Sequence, residues 1–323
     1  LRPVSRVTDL HGTFSAASAF NGNLSLWDTS SCTQLAWAFF NADAFVGEPG
    51  HWPWDTSLVQ SMESMFSSAD AFDGNLGAWD VASVRSVEST FDNAYAFNQA
   101  RGDGTRPRRT ALASPPARPC LLIPRPLVAQ PLTLDTGSVT TMNSLFRSAT
   151  SLNQPLSFDT SSVFDVDEMF YNAQRFNQPI LLDAISVNTS AAMLRDAVAL
   201  DQQLALEKSS HVVDMSNMLK NANSFNKPLG LDTAGVTDMS FMLDQASSFN
   251  QVRRRRPPPA AATRRVRSTA CLMPPTLLAQ AVNFDTASVT DMGSMFQEAE
   301  SFNRPLNFDA SRVTAMSFMI DDA

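Results

Sequence analysis

The chain is 323 residues long and 44% hydrophobic, too apolar for a disordered polymer and long enough for one large folded body. Its net charge of −8 conceals two opposed parts: residues 100–130 carry six Arg and one Asp, residues 252–280 carry seven Arg and no acid, and the remainder sums to −20. So acidic a body repels nucleic acid and anionic membrane surfaces; no apolar run approaches the roughly 20 residues of a membrane span; and three Cys make neither a disulfide framework nor a metal cluster.

A pattern recurs about every 24 residues: Val-x-x-Met-x-x-Met-Phe-x-x-Ala-x-x-Phe-Asn-Gln-Pro-Leu-x-Phe-Asp-Thr-Ser-Ser. Its first position falls at Val7, Cys32, Val59, Val84, Val139, Val163, Val187, Val212, Val236, Val289 and Val313. A fixed period of this length signals a solenoid, whose units bury their apolar faces against one another. Residue 1 is Leu and the end units are cut short, so residues 1–323 are expected to be a fragment of a single repeat solenoid.

Within a unit, apolar residues such as Val139, Met142, Leu145, Phe146 and Ala149 have helical spacing, and the preceding Asp135-Thr136-Gly137-Ser138 supplies capping oxygens. Leu156 and Phe158 then alternate with polar residues as in a short strand, with Pro155 at its entrance. The expected fold is therefore α/β: a right-handed, leucine-rich-repeat-like solenoid of about ten coils. Each coil is a short helix plus a short parallel strand, and strand spacing of about 4.8 Å makes a rod roughly 50 Å long. Ala fills the eleventh position of all eleven units, from Ala17 to Ala323, which implies a contact too close for a γ carbon. Thirteen of the fourteen Met fall at two positions, as gap-fillers on the inner face.

Along the chain, Asn23-Leu24-Ser25 matches a glycosylation acceptor, as does Asn188-Thr189-Ser190. The second unit has two extra residues, and His51 and Trp52 fall outside the core phase. They are candidate ligand contacts of an exposed aromatic loop, while the favoured role of Trp52 is a filler packed against the first coil. An Asn or Asp follows the aromatic of each unit. Asn98, Asn153, Asn177, Asn226, Asn250 and Asn303 are expected to form a structural ladder, each satisfying backbone groups of the next coil. A second file of acids follows the strand aromatic. Asp135, Asp159 and Asp183 are its candidate Ca²⁺ ligands, while closure of local Asx turns is the competing role. In the seventh unit Ser190 replaces Met, Leu200 replaces the aromatic and Glu207-Lys208 replaces Asp-Thr, which puts local stacking in doubt.

The runs Phe-Asn-Gln-Pro-Leu, Phe-Asp-Thr-Ser and Val-Thr-Asp-Met, clearest in Val212–Asp232 and Val289–Asp309, resemble the BspA-like surface-protein repeat, a relative of the leucine-rich repeats. That resemblance implies a cell-surface or extracellular module for adhesion to protein or glycan. It does not extend to residues 100–130 and 252–280, which interrupt the repeat just after Phe-Asn-Gln and end in Ala-Gln. Removing them restores the period. Their Arg- and Pro-rich composition suits disordered loops or, preferably, unspliced introns carried into the translation; basic nucleic-acid arms are a third reading. No metal-binding His spacing, phosphate loop or nucleophile elbow is present. The expectation is a non-enzymatic surface protein without a cofactor or nucleic-acid partner. A polysaccharide-acting enzyme and a Ca²⁺-binding structural protein are the alternatives.

Overall fold

The computed structural model describes residues 7–47, 52–98, 132–133, 135–250 and 284–323. Ten isolated parallel bridges, from Asp9 beside Gln34 to Asp291 beside Ala315, join eleven successive windings of the chain. Among the described residues four short strands accompany them. β1 (Leu132–Thr133) lies parallel to β2 (Leu156–Ser157), and β3 (Ile180–Asp183) to β4 (Leu204–Glu207), with Ile180 beside Leu204.

The helix-plus-strand solenoid is overturned. No α-helix occurs among the described residues; the one helical element is a 3₁₀ turn at Ser209–His211. The cause is a pair of left-handed residues in each winding, at the sixth and tenth positions of the repeat. Ser144 and Ser148 both have φ 53°, Glu168 and Asn172 have 52° and 55°, and Asn217 and Asn221 have 57°. A residue at such angles leaves the right-handed helical path.

The backbone bonds show what replaces the helix. Met142, Ser144, Phe146 and Ser148 donate their N–H groups across to Asp165, Asp167, Met169 and Tyr171 of the next winding, at 2.7–2.9 Å. The residues between them, Leu145, Arg147 and Ala149, donate back three positions at 3.1–3.2 Å. Each segment is thus a chain of tight turns, and every second amide is spent on the neighbour. This satisfies the buried backbone without helix or continuous sheet. The inward stripe is the same as in a helix: Val139, Met142, Phe146 and Ala149 are fully buried.

Substitution by glycine distinguishes the two conformations by sign. Glu298 is exposed and has φ 52°. Glu298→Gly relieves the left-handed strain and is expected to stabilise by about 1 kcal/mol. The same change in a helix would destabilise by a similar amount. Urea melts of the two proteins give the sign.

The core is a pair of columns rather than a globule. Phe39, Phe66, Phe91, Phe146 and Phe170 stack with centroids 5.6–5.7 Å apart. Phe45, Phe72 and Phe97 form a second file at 5.9–6.1 Å. The constant Ala is fully buried at nine successive positions from Ala42 to Ala299, and its N–H closes a turn onto the Phe or Leu three residues back. Ala222→Leu should overpack this corner and cost about 1–3 kcal/mol. An unchanged thermal midpoint would contradict the close contact.

Both interruptions leave the stack in register. Ser86 pairs with Thr141, and Asp238 with Asp291, by the same parallel bridge that joins uninterrupted windings. The Phe91–Phe146 spacing, 5.6 Å, equals that of Phe146–Phe170. Residues 100–130 and 252–280 themselves lie outside the described residues.

The seventh winding also stacks. Val187 to Val212 spans 25 residues rather than 24, so Lys208 (φ 61°) and Ser209, not Glu207 and Lys208, take the places of Asp and Thr, and the Ser209 hydroxyl donates to the Asp232 carbonyl at 3.1 Å. Ser190 is fully buried, with its hydroxyl on the Asp214 carbonyl at 3.4 Å.

Candidate functional site

The Asp-Thr-Ser-Ser corner supplies the most regular surface. Asp135, Asp159 and Asp183 accept the N–H two residues ahead, from Gly137 at 3.4 Å, Ser161 at 3.0 Å and Ile185 at 3.2 Å. The same Asx turn is made by Asp28, Asp55, Asp80, Asp232, Asp285 and Asp309. One carboxylate oxygen of each is therefore committed to its own coil. The residue after the acid faces inward. Thr136 and Thr160 are buried and donate to the Asp159 and Asp183 carbonyls of the next winding at 2.7 and 3.0 Å. This hydroxyl file was not foreseen; the recurrence of Thr after Asp was its signal.

The turns set the electrostatics. The Ser161 hydroxyl, 2.7 Å from Asp159, and then the Ser161 amide hold that carboxylate below the ordinary range. Asp183 is lowered chiefly by the Lys208 ammonium at 2.7 Å. Asp167 is raised, because burial outweighs the hydrogen bond from the Thr189 hydroxyl. Carboxyl NMR titration should find Asp159 below about 3.9 and Asp167 above it. Asp159 favours the fold above that value and loses its contribution as pH falls through its depressed folded pKa. Asp167 has the opposite sign: its preference for the fold is full at low pH and is lost as pH rises through its raised folded pKa. Coincident midpoints would contradict this pair of environments.

Among the described residues no three His, Cys, Asp or Glu side chains come together in a way that could hold a metal ion. Asp135, Asp159 and Asp183 form a file along the stack, not a converging shell. Between Lys208, Asp232, Asp285 and Asp309 the edge opens into a cleft of about 800 Å³. Residues 251–283, which precede Phe284 in its lining, lie outside the description.

The Asn file occupies a different corner. Asn98 Oδ1 accepts the Asn153 N–H at 2.8 Å, Asn153 that of Asn177 at 2.9 Å, and Asn177 that of Asp201 at 2.9 Å. The run continues through Asp201, Asn226 and Asn250 to Asn303. Each side chain serves the next winding's backbone, and the file is half-buried to exposed rather than buried. Where Asp201 occupies a rung, Lys227 of the next winding meets its other oxygen at 2.6 Å.

Of the two roles for Trp52 the inward one holds, and its place on an exposed ligand-contact loop is corrected. Its ring is fully buried, 5.0 Å from Trp54, 5.1 Å from Trp79 and 5.7 Å from Phe45 between centroids. Trp52 and Trp54 turn inward on either side of exposed Pro53, an alternation of period two that carries both indoles into the core. His51 lies outside the described residues.

Several cations of the body pair with neighbouring carboxylates, Arg147, Arg195 and Lys220 among them. Arg147 meets Asp92 at 3.6 Å and Glu168 at 3.0 Å, and the Tyr171 ring has the Arg147 and Arg195 guanidinium carbons 5.2 and 5.4 Å from its centroid. Among the described residues no helix is long and apolar enough to cross a membrane.

Searches of curated proteins and of solved structures found no match. A family match covers residues 3–103, 128–205, 181–255 and 272–323, most of the chain and nearly every winding. On that coverage the chain belongs to the repeat family described as Mycoplasma protein of unknown function, DUF285.

Proposed function

We propose that this is a non-enzymatic repeat protein, displayed at a cell surface or secreted, that contacts protein or glycan through its acidic Asp-Thr-Ser-Ser edge. One observation carries the reading: the same exposed carboxylate turn recurs from Asp28 to Asp309 along a continuously stacked body. A repeated surface of this kind suits extended contact better than chemistry at one point. The resemblance of the repeat to BspA-like surface proteins supports the location, and the acidic charge disfavours nucleic acid as the partner.

Location is tested by a membrane-impermeant biotin reagent on intact cells that make the full protein. Labelling without permeabilisation, or recovery of the protein from the medium, is the expected result; a protein labelled only after permeabilisation and absent from the medium would overturn the reading. The contact edge is tested by the triple variant Asp135→Asn, Asp159→Asn, Asp183→Asn on a glycan array and on intact cells. Asn keeps the Asx-turn acceptor, so the fold persists while three charges are lost. Saturable binding that weakens in the variant is expected. Binding that the variant leaves unchanged would remove this edge from the proposal.

A further inference from the structure

We propose that Asn23 is an N-glycosylation acceptor, set apart from the second matching tripeptide by the way the first winding folds around it. Two tripeptides, Asn23-Leu24-Ser25 and Asn188-Thr189-Ser190, satisfy the Asn-x-Ser/Thr requirement. Asn23 is exposed at the edge of the stack. Its Oδ1 accepts the Ser25 hydroxyl at 2.6 Å and the Ser25 N–H at 2.9 Å. Leu24 between them is fully buried and pins the turn to the core. The hydroxyl that a transferase must recognise is thus held beside the carboxamide, by bonds spanning only two residues.

Asn188 has none of this. Its N–H donates to the Phe164 carbonyl and its own carbonyl accepts from Val213, both at 2.9 Å, so its backbone is part of the inter-winding ladder. Ser190 is fully buried and its hydroxyl points to the Asp214 carbonyl. The third residue of that tripeptide is therefore out of a transferase's reach. Asn75-Leu76-Gly77 supplies an internal comparison: the Gly77 N–H bonds Asn75 Oδ1 at 2.9 Å in the same turn, with no hydroxyl.

The donor is an oligosaccharide linked to a lipid diphosphate, brought by a membrane transferase. The Asn23 Nδ2–C1 bond forms and the C1–O bond to the diphosphate breaks. The lipid diphosphate leaves, and one amide proton passes to a base on the transferase. Asn23 is exposed, so a bulky chain attached there is accommodated by solvent.

The inference rests on the reading of the protein as surface-displayed or secreted, and the two fail separately. The full chain is secreted from eukaryotic cells behind a heterologous signal, which fixes its route and tests the site alone; the biotin experiment tests the native location. Peptide mapping after N-glycosidase treatment in heavy-oxygen water converts an occupied Asn to labelled Asp. The expected result is label at Asn23, none at Asn75 or Asn188, and loss of all label in Ser25→Ala. A secreted chain with Asn23 bare, or with Asn188 occupied as fully as Asn23, would overturn the assignment.

Discussion

Phe146→Ala is expected to lower the free energy of unfolding by about 3–5 kcal/mol, read from urea melts with midpoint and slope both fitted. The ring is fully buried and stacks on Phe91 at 5.6 Å and Phe170 at 5.6 Å, with Phe97 and Phe158 each at 6.2 Å. In a globular core a truncated side chain leaves a cavity that several elements can close around. Here the neighbours above and below are held by inter-winding bonds, including Phe146 N–H to the Met169 carbonyl at 2.9 Å. The gap cannot collapse without breaking them. Because windings contact only their neighbours, the damage also weakens coupling between the two halves of the stack. A lower slope or a biphasic melt would report that uncoupling. A loss below about 1 kcal/mol would mean that the column is not packed as described.

Deleting Ala100–Gln130 and Val252–Gln280 together is expected to leave the fold intact and raise its stability by about 4 kcal/mol. The flanking windings already pair as neighbours at both sites. Asn98 Oδ1 accepts the Asn153 N–H across the first interruption at 2.8 Å, and Asn250 Oδ1 accepts that of Asn303 across the second at 3.4 Å. Removal rejoins Gln99 to Pro131 and Gln251 to Ala281, restoring the ordinary spacing. Closing a connection of more than thirty residues costs roughly 2 kcal/mol more than closing one of a few residues, and there are two. Thermal melts of the full and shortened chains measure the difference. A shortened chain that fails to fold would give the segments a structural role. If the transcripts that encode the protein lack both segments, as the intron reading expects, the shortened chain is also the natural one.

The period, the inward stripe and the constant Ala could be read from the sequence because burial fixes only which residues face the core. Val139, Met142, Phe146 and Ala149 face inward under either a helix or a chain of turns, so their spacing could not choose between the two. The deciding information lay at the left-handed positions. Asn41, Asn93, Asn172 and Asn221 occupy the tenth position, where a short polar side chain tolerates positive φ. Trp37 and Phe241 at the sixth position hid the same signal, since bulky residues seldom adopt that conformation.

The two Asx files were legible because Asn and Asp recur with the period. The cross-winding role of Thr136 and Thr160 was not, because a hydroxyl two windings could share is invisible until their register is known. Trp52 kept two readings open for a similar reason. Two additional residues shift the phase of its coil, and only the alternation about Pro53 shows that both indoles point inward.

Scalar couplings transmitted through hydrogen bonds identify the carbonyl that accepts a given amide, and the Phe146 amide is the one to examine. Coupling to the Met169 carbonyl, one winding away, is the predicted result. Coupling to the Met142 carbonyl, four residues back, would mean a helix and would contradict the stack of turns.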